Sequence, residues 1–377
     1  MRSILAAVRS WRQFDWLLLI FVAILASVGL ATIYSIDLSR GGSTYLSTQL
    51  VAIILGLVLI VAAGSVHVTV YQSLAKFFYV SALALLTAVL FFGQTVRGTK
   101  GWFRLAGFSF QPAEFAKVAL ILLLAYLVGR HGRRFDRPHF FIASGLLTFF
   151  IVLLIILQPD LGSAIVLLGV WSAIAAITAQ KRWYLLLFLV GFLTVAGLGW
   201  FFFLREYQKD RLLAFIHPND PTCAESICYN VRQSLIAIGA GQVSGRGLGF
   251  GSQSQLHFLP EAQTDFIFSV VAEELGLVGV SAVFILYGLI FWRLLRIVRL
   301  ARDDFGAYTV FGIVAFLSIQ SVLNLGAATG LLPVTGLTLP FLSAGGSSFV
   351  MNCLLIGIAE SVGRSERGTA GTILPAA

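Results

Sequence analysis

One stretch gathers most of the groups capable of acid–base or phosphate chemistry: GAGQVSGRGLGFGSQSQLHFLPEAQTDFIFSVVAEELG, from Gly239 to Gly276. Asp265 stands in it with Arg246, His257, Glu261, Glu273 and Glu274, in a chain only 11% charged. An aspartate at a helix start is held ionised by the helix macrodipole. There it can accept a proton from an attacking sugar hydroxyl or hold a divalent cation against a pyrophosphate. The same residue type also serves as an ordinary N-terminal cap. At about 100° per residue along a helix, Glu273 falls about 80° from Asp265 and Glu274 about 180°, so at most one of them shares its face. His257 has no second histidine nearby and reads as a loop residue rather than a metal ligand.

An anionic headgroup would need cations, and Arg97, Lys100, Arg104, Arg211, Arg232 and Arg246 are expected on the side of Asp265. Guanidinium groups suit bidentate phosphate contacts. GRGLGFG is either a nest of backbone N–H groups for phosphate or a flexible turn; it follows no strand, so the dinucleotide fingerprint does not apply. Trp102 is either an interfacial belt residue or a platform for a sugar face. Gln253 and Glu261 complete the expected substrate contacts. Glu114 and Lys117 lie at i and i+3, near enough to pair. They read either as a structural ion pair or as functional groups, the default for charges inside a membrane span. Asp160, after Gln158 and Pro159, reads as the N-cap of the helix that follows.

The elements that must position these residues are set by composition. Of 377 residues, 58% are hydrophobic, and the mean hydropathy is +0.91. Soluble domains hold about 45–50% apolar residues. A membrane span needs about 20 mostly apolar residues, and such runs recur: Leu17–Ser35, Phe140–Leu157, Leu161–Gln180, Trp183–Leu204, Phe305–Leu332 and Leu337–Ala359. Lipid cannot satisfy open backbone groups, so these are α-helices. The expectation is an all-α integral membrane protein of ten transmembrane helices. A cytoplasmic N-terminus (residues 1–14), a polytopic domain (15–363) and a disordered cytoplasmic tail (364–377) make up the chain.

The net charge of +9 follows topology rather than nucleic-acid binding. With both termini inside, most of the 26 Lys and Arg fall on cytoplasmic loops, as in Arg130–Arg137 and Arg293–Arg302. The outward loop 93–111 breaks that rule with Arg97, Lys100 and Arg104, which marks it for function. Pro112 sits where an N1 proline would, opening the fourth helix. The extracytoplasmic loop at about 205–264, between helices seven and eight, far exceeds the usual connection of about 4–6 residues and reads as a folded cap over the outer face. REYQKDRLLAFIHP within it has the composition of an interfacial helix; NVRQSLIAIGAG is a second such helix or a re-entrant one. Helix eight is expected from near Asp265 to about Trp292. The first apolar segment lacks a small-residue cleavage site and reads as a retained helix. Cys353 lies in an apolar span, whereas Cys223 and Cys228 share an outer loop as a disulfide or as two thiols.

The motifs RGTKGWFRLAGFSFQPAEFAK, QPDLGSAIV, NVRQSLIAIGAGQ, GRGLGFGSQSQLHFLPEAQTDFIFSVVAEELGLVG and LLPVTGLTLPFLSAGGSSF closely resemble the SEDS family (shape, elongation, division and sporulation) in content and order. SEDS proteins are bacterial membrane glycosyltransferases that polymerise peptidoglycan. The resemblance implies a ten-helix fold, lipid II as substrate and the bacterial cytoplasmic membrane as location. It carries the family's essential acid onto Asp265, also the tentative metal ligand, and its fourth-helix ion pair onto Glu114 and Lys117. It further implies a divalent cation (Mg or Mn) and a class B penicillin-binding protein as transpeptidase partner. Pro333-Val334-Thr335-Gly336 is more similar to the rod-shape (RodA-like) branch than to the division (FtsW-like) branch, where a lysine typically follows the proline and threonine. A lipid II flippase and a non-catalytic scaffold for the transpeptidase are the rival readings.

Overall fold

The computed structural model describes residues 14–39, 44–96, 98–105, 108–132, 138–178, 209, 215–216 and 227–370. The expected span Trp183–Leu204, most of residues 205–226, Arg97, Arg211 and Cys223 lie outside the described residues. In chain order the elements are α1 (Trp16–Ser39), α2 (Thr44–Ser65), α3 (Val68–Phe92), β1 (Gln94–Val96), β2 (Thr99–Leu105), β3 (Phe108–Phe110), α4 (Pro112–His131), α5 (Pro138–Leu157), α6 (Leu161–Thr178), α7 (Ile227–Gly241), α8 (Ser252–Gln255), α9 (Ile267–Leu300), α10 (Asp304–Ala328) and α11 (Gly346–Ala370). Nine of the described helices are long and apolar enough to cross a membrane, so this is a multi-pass membrane protein. The helix α11 runs past Gly363, where the polar tail was expected to begin.

The bundle is built around α4 and α11, each 78% buried over its most apolar window, while α2, α3 and α5 turn most of their surface outward. A helix that is hydrophobic all round belongs in the interior, and α4 reads that way from Val118 to Ala125. Helices α2 and α11 approach closely through small residues. Gly56 faces Cys353 and Phe349, and Gly357 faces Ala63, the contact lipid-embedded helices use in place of a hydrophobic driving force.

Two features depart from the expected string of helices. The stretch 93–111, expected as an outward loop, holds a three-stranded antiparallel sheet in the order β1-β2-β3. Gln94 pairs with Trp102 while Thr95 pairs with Lys100, so Gly101 is the extra residue of a bulge. The bulge has a purpose: alternation would send Thr99 and Trp102, three apart, to opposite faces, yet both line one cavity. Glycine fits the bulge because a Cβ at 101 would press to 3.2 Å from Oε1 of Gln158.

The second feature is a break in α9. Gly276 has φ 63 and ψ −161, outside helical space, which divides a short, buried segment 267–275 from the longer 277–300. The backbone groups freed by the break are taken up by the loop after α7. Arg246 N donates to Glu273 O (3.0 Å) and Gly247 N to Glu274 O (2.9 Å), while Leu277 N donates to Gln242 O (2.9 Å) and Val278 N to Val243 O (3.2 Å). Only glycine suits position 276, since the left-handed φ disfavours a side chain and a Cβ would lie 2.6 Å from the Val243 carbonyl oxygen.

Candidate active site

Asp265 sits in a tight turn just before α9. The carbonyl of Glu261, a residue held at φ 54, accepts from the N–H groups of Thr264 (3.1 Å), Asp265 (3.1 Å) and Phe266 (3.3 Å). Phe266 is fully buried beside it and fixes the turn against the core. On the opposite wall, Pro112 starts α4 and puts Glu114 in its first turn, where the dipole favours a carboxylate. These walls enclose a cavity of about 230 Å³. Its lining includes Trp102, Gln111, Glu114, Asp160, Thr264 and Asp265, closed on one side by the extended segment from Pro333 to Thr338.

Three carboxylates line the cavity, from Glu114, Asp160 and Asp265, and among its described lining residues there is no Lys or Arg. Glu114 is 5% exposed and Lys117 1%. The ammonium donates to Glu114 Oε1 at 2.7 Å and reaches Gln320 Oε1 at 3.4 Å. The second oxygen of Glu114, Oε2, has no hydrogen-bond partner, and neither does the Thr335 hydroxyl, which lines the same space. Asp160 caps α6 through Oδ1 to Ser163 N at 2.9 Å, and its other oxygen accepts from Gln111 Nε2 at 3.2 Å. The cap and the cavity wall are therefore one residue.

The remaining expected site residues are placed differently. Lys100 and Arg104 stand on β2, at the same end of the bundle but outside the lining. Arg246 is exposed, donating to Ser252 Oγ at 2.9 Å. Gln253 and Glu261 also lie outside the lining; Thr264 Oγ1 donates to Glu261 Oε2 at 3.1 Å. Arg97 and Arg211 lie outside the described residues. Arg232 is exposed on α7.

Glu273 and Glu274, which sequence alone leaves as candidates for the face of Asp265, are used for architecture. Glu273 accepts from the N–H groups of Gln253 (2.9 Å) and Ser254 (3.3 Å), ending the N-terminus of α8. Glu274 accepts from Ser35 Oγ at 2.6 Å and from Ser254 Oγ at 3.3 Å, tying α1 to the loop. The glycine run likewise spends its N–H groups internally at 245, 246, 247 and 250, so these four donors are not offered to a phosphate. Cys228 is disulfide-bonded, and Cys353 is a buried free thiol.

Sequence reasoning passed over Gln111, Thr335, Thr338 and Ser348, which line the cavity. Gln111 carried a signal in its place next to Pro112; the others depend on how the 333–345 segment folds back.

Comparison with known proteins places the chain by its overall sequence and fold. The chain is 34% identical over 371 residues to "Probable peptidoglycan glycosyltransferase FtsW" of Geobacter metallireducens, covering 95% of this chain and 96% of that protein. It superposes with a TM-score of 0.78 and 30% identity on a chain of the structure described as "Structural coordination of polymerization and crosslinking by a peptidoglycan synthase complex", covering 94% of this chain and 98% of that one. The rod shape determining protein RodA of Thermus thermophilus matches with a TM-score of 0.70 and 31% identity over 94% of this chain and 97% of its own. The FtsW/RodA/SpoVE family, described as "Cell cycle protein", matches residues 12–368, and the chain therefore belongs to that family.

Proposed function

We propose that this protein is a peptidoglycan glycosyltransferase that polymerises lipid II into glycan strands at the outer face of the bacterial cytoplasmic membrane, both termini lying in the cytoplasm. The observation that carries the reading is Asp265 opening, with Glu114, Asp160 and Trp102, onto one enclosed cavity. In the proposed step the acceptor sugar hydroxyl attacks the anomeric carbon of the donor. The new glycosidic C–O bond forms as the bond to the pyrophosphate breaks, the hydroxyl proton passes to the Asp265 carboxylate, and undecaprenyl pyrophosphate departs with the electron pair. Thr335, Thr338 and Ser348 supply hydroxyls suited to sugar recognition, and Trp102 an aromatic face. Lys100, Arg104 and Arg246, with Arg97 and Arg211, meet the pyrophosphate, while Gln253 and Glu261 extend the substrate contacts.

Among the described residues no three acidic, histidine or cysteine side chains come together as a metal cage. That donor set fits a magnesium-like ion, which binds through one or two carboxylates and completes its shell with waters and substrate phosphates. Asp265 would hold such a divalent cation (Mg or Mn), and the ion's chemistry is to neutralise the leaving pyrophosphate. A class B penicillin-binding protein is the proposed partner, crosslinking the product. The absence of a lysine in Pro333-Val334-Thr335-Gly336 supports the elongation branch; the FtsW name of the Geobacter relative weighs the other way.

The test is lipid II polymerisation by the purified complex, with and without chelator, for wild type and Asp265→Asn. Loss in the variant with its fold intact is expected; wild-type rates in the variant would overturn the assignment. A flippase reading draws on the break at Gly276, since discontinuous helices mark transporter sites. Translocation of lipid II in proteoliposomes without polymerisation would favour it.

A further inference from the structure

The buried face of α10 carries two amides one turn apart, Gln320 and Asn324, and each joins one acid of the cavity to the segment opposite. Gln320 Oε1 accepts from Lys117, the partner of Glu114, while its Nε2 donates to Thr338 O at 2.8 Å. Asn324 is 2% exposed. Its single Nδ2 donates to the carbonyl of Asp265 at 2.9 Å and to the carbonyl of Leu337 at 2.7 Å, using both hydrogens.

The Asp265 carbonyl is open to this contact because the helix starts late. Ser269 N donates to Phe266 O at 3.0 Å rather than one residue earlier. The two preceding carbonyls are held from the same side. Gln263 O accepts from Ala344 N at 2.9 Å, and Thr264 O accepts from Ser343 Oγ at 2.6 Å. Three consecutive carbonyls, 263 to 265, are thus fastened to the α10–α11 side of the cavity, and Asn324 holds the one belonging to Asp265. A side chain that must meet a reacting atom is only as well aimed as its own peptide.

We infer that Asn324 is a positioning residue for Asp265, fixing the peptide that aims its carboxylate into the cavity, with Gln320 doing the same for the Glu114–Lys117 pair. Its role in turnover rests on the glycosyltransferase reading. A misplacement of about 1 Å costs about 10²-fold in rate, so the effect falls on turnover and not on substrate capture.

The test uses the full-length protein with its transpeptidase partner and compares Asn324→Leu and Asn324→Asp, which keep the approximate shape and remove both donors. For each, lipid II polymerisation is measured against substrate concentration per folded molecule, and amide hydrogen exchange is followed over residues 261–268. The expected result is a fall in kcat of about 10- to 100-fold, KM within twofold of wild type, and faster exchange in 261–268 but not in α4. A kcat per folded molecule within twofold of wild type, or unchanged exchange in 261–268, overturns the inference. Should Asn324→Leu not fold, Asn324→Asp decides by the same two readouts. Should wild type fail to polymerise lipid II, it is the functional reading that falls, and the exchange measurement still decides whether Asn324 clamps the Asp265 peptide.

Discussion

Two groups of buried charge sit far apart in this molecule, and they are finished differently. At one, before α1, Arg293 of α9 grips Asp15 through Nε at 2.8 Å and also through Nη2. The Asp15 N–H donates to Glu360 of α11 at 3.0 Å, and Arg364 lies 4.9 Å from the centre of the Phe14 ring. Opposite charges meet there, and none of these residues lines the cavity described above. At the other, Glu114, Asp160 and Asp265 share a cavity whose described lining includes neither Lys nor Arg, and Glu114 Oε2 has no hydrogen-bond partner. A charge cluster packed within the protein ties helices together; carboxylates gathered around a hollow can meet a ligand. Burial alone does not separate the two, and access to the cavity does.

The sharpest break in this comparison is Asp265→Asn. Polymerisation should fall by about 10²- to 10⁴-fold, the contribution of a general base, with the thermal midpoint unchanged. The next concerns Glu114 and its lysine. Lys117→Met leaves Glu114 buried without its cation and should cost about 3–5 kcal/mol; the double variant Glu114→Gln/Lys117→Met should regain most of it in a melting experiment. At the closed cluster, Arg293→Met should destabilise by about the same 3–5 kcal/mol while turnover per folded molecule stays at the wild-type level. A selective loss of turnover there would erase the distinction.

Smaller effects sharpen it. Gly276→Ala forces a side chain into left-handed backbone and should cost about 1–3 kcal/mol, seen as faster proteolysis within 242–258. Arg246→Gln, at an exposed site, should change stability by less than about 0.5 kcal/mol yet raise KM for lipid II.

Much of this was legible in the residues, and the reasons differ by element. Apolar runs announced the spans because lipid leaves few alternatives to a helix. Glu114 and Lys117 announced their pairing by spacing, and Asp160 its cap by following Gln158-Pro159. The break at Gly276 was hidden, since VVAEELGLVG keeps helical periodicity. What unwinds it is the loop 242–247, some thirty residues earlier in the chain. Glu273 and Glu274 looked like chemistry because they cluster with Asp265 in sequence, but α8 and Ser35 claim them in space. Asn324 gave no signal at all: its two acceptors are backbone carbonyls, which carry no mark in the sequence. The sheet at 94–110 was obscured by its glycines and cations, although Thr99-Lys100-Gly101-Trp102-Phe103 has the aromatic content of a strand.

The interruption at Gly276 also bears on how bilayer forces reach the chemistry. A helix crossing lipid tilts to match the thickness around it, and a continuous α9 would pass that tilt directly to Asp265. Here the loop 242–247 clasps both sides of the break, donating to the 273 and 274 carbonyls and accepting from the 277 and 278 N–H groups, so tilt of the longer rod meets the reactive end through a clamped joint and not a continuous helix. Catalytic rate in vesicles of graded acyl-chain length should accordingly vary little, and substituting Gly276 should make it thickness-dependent.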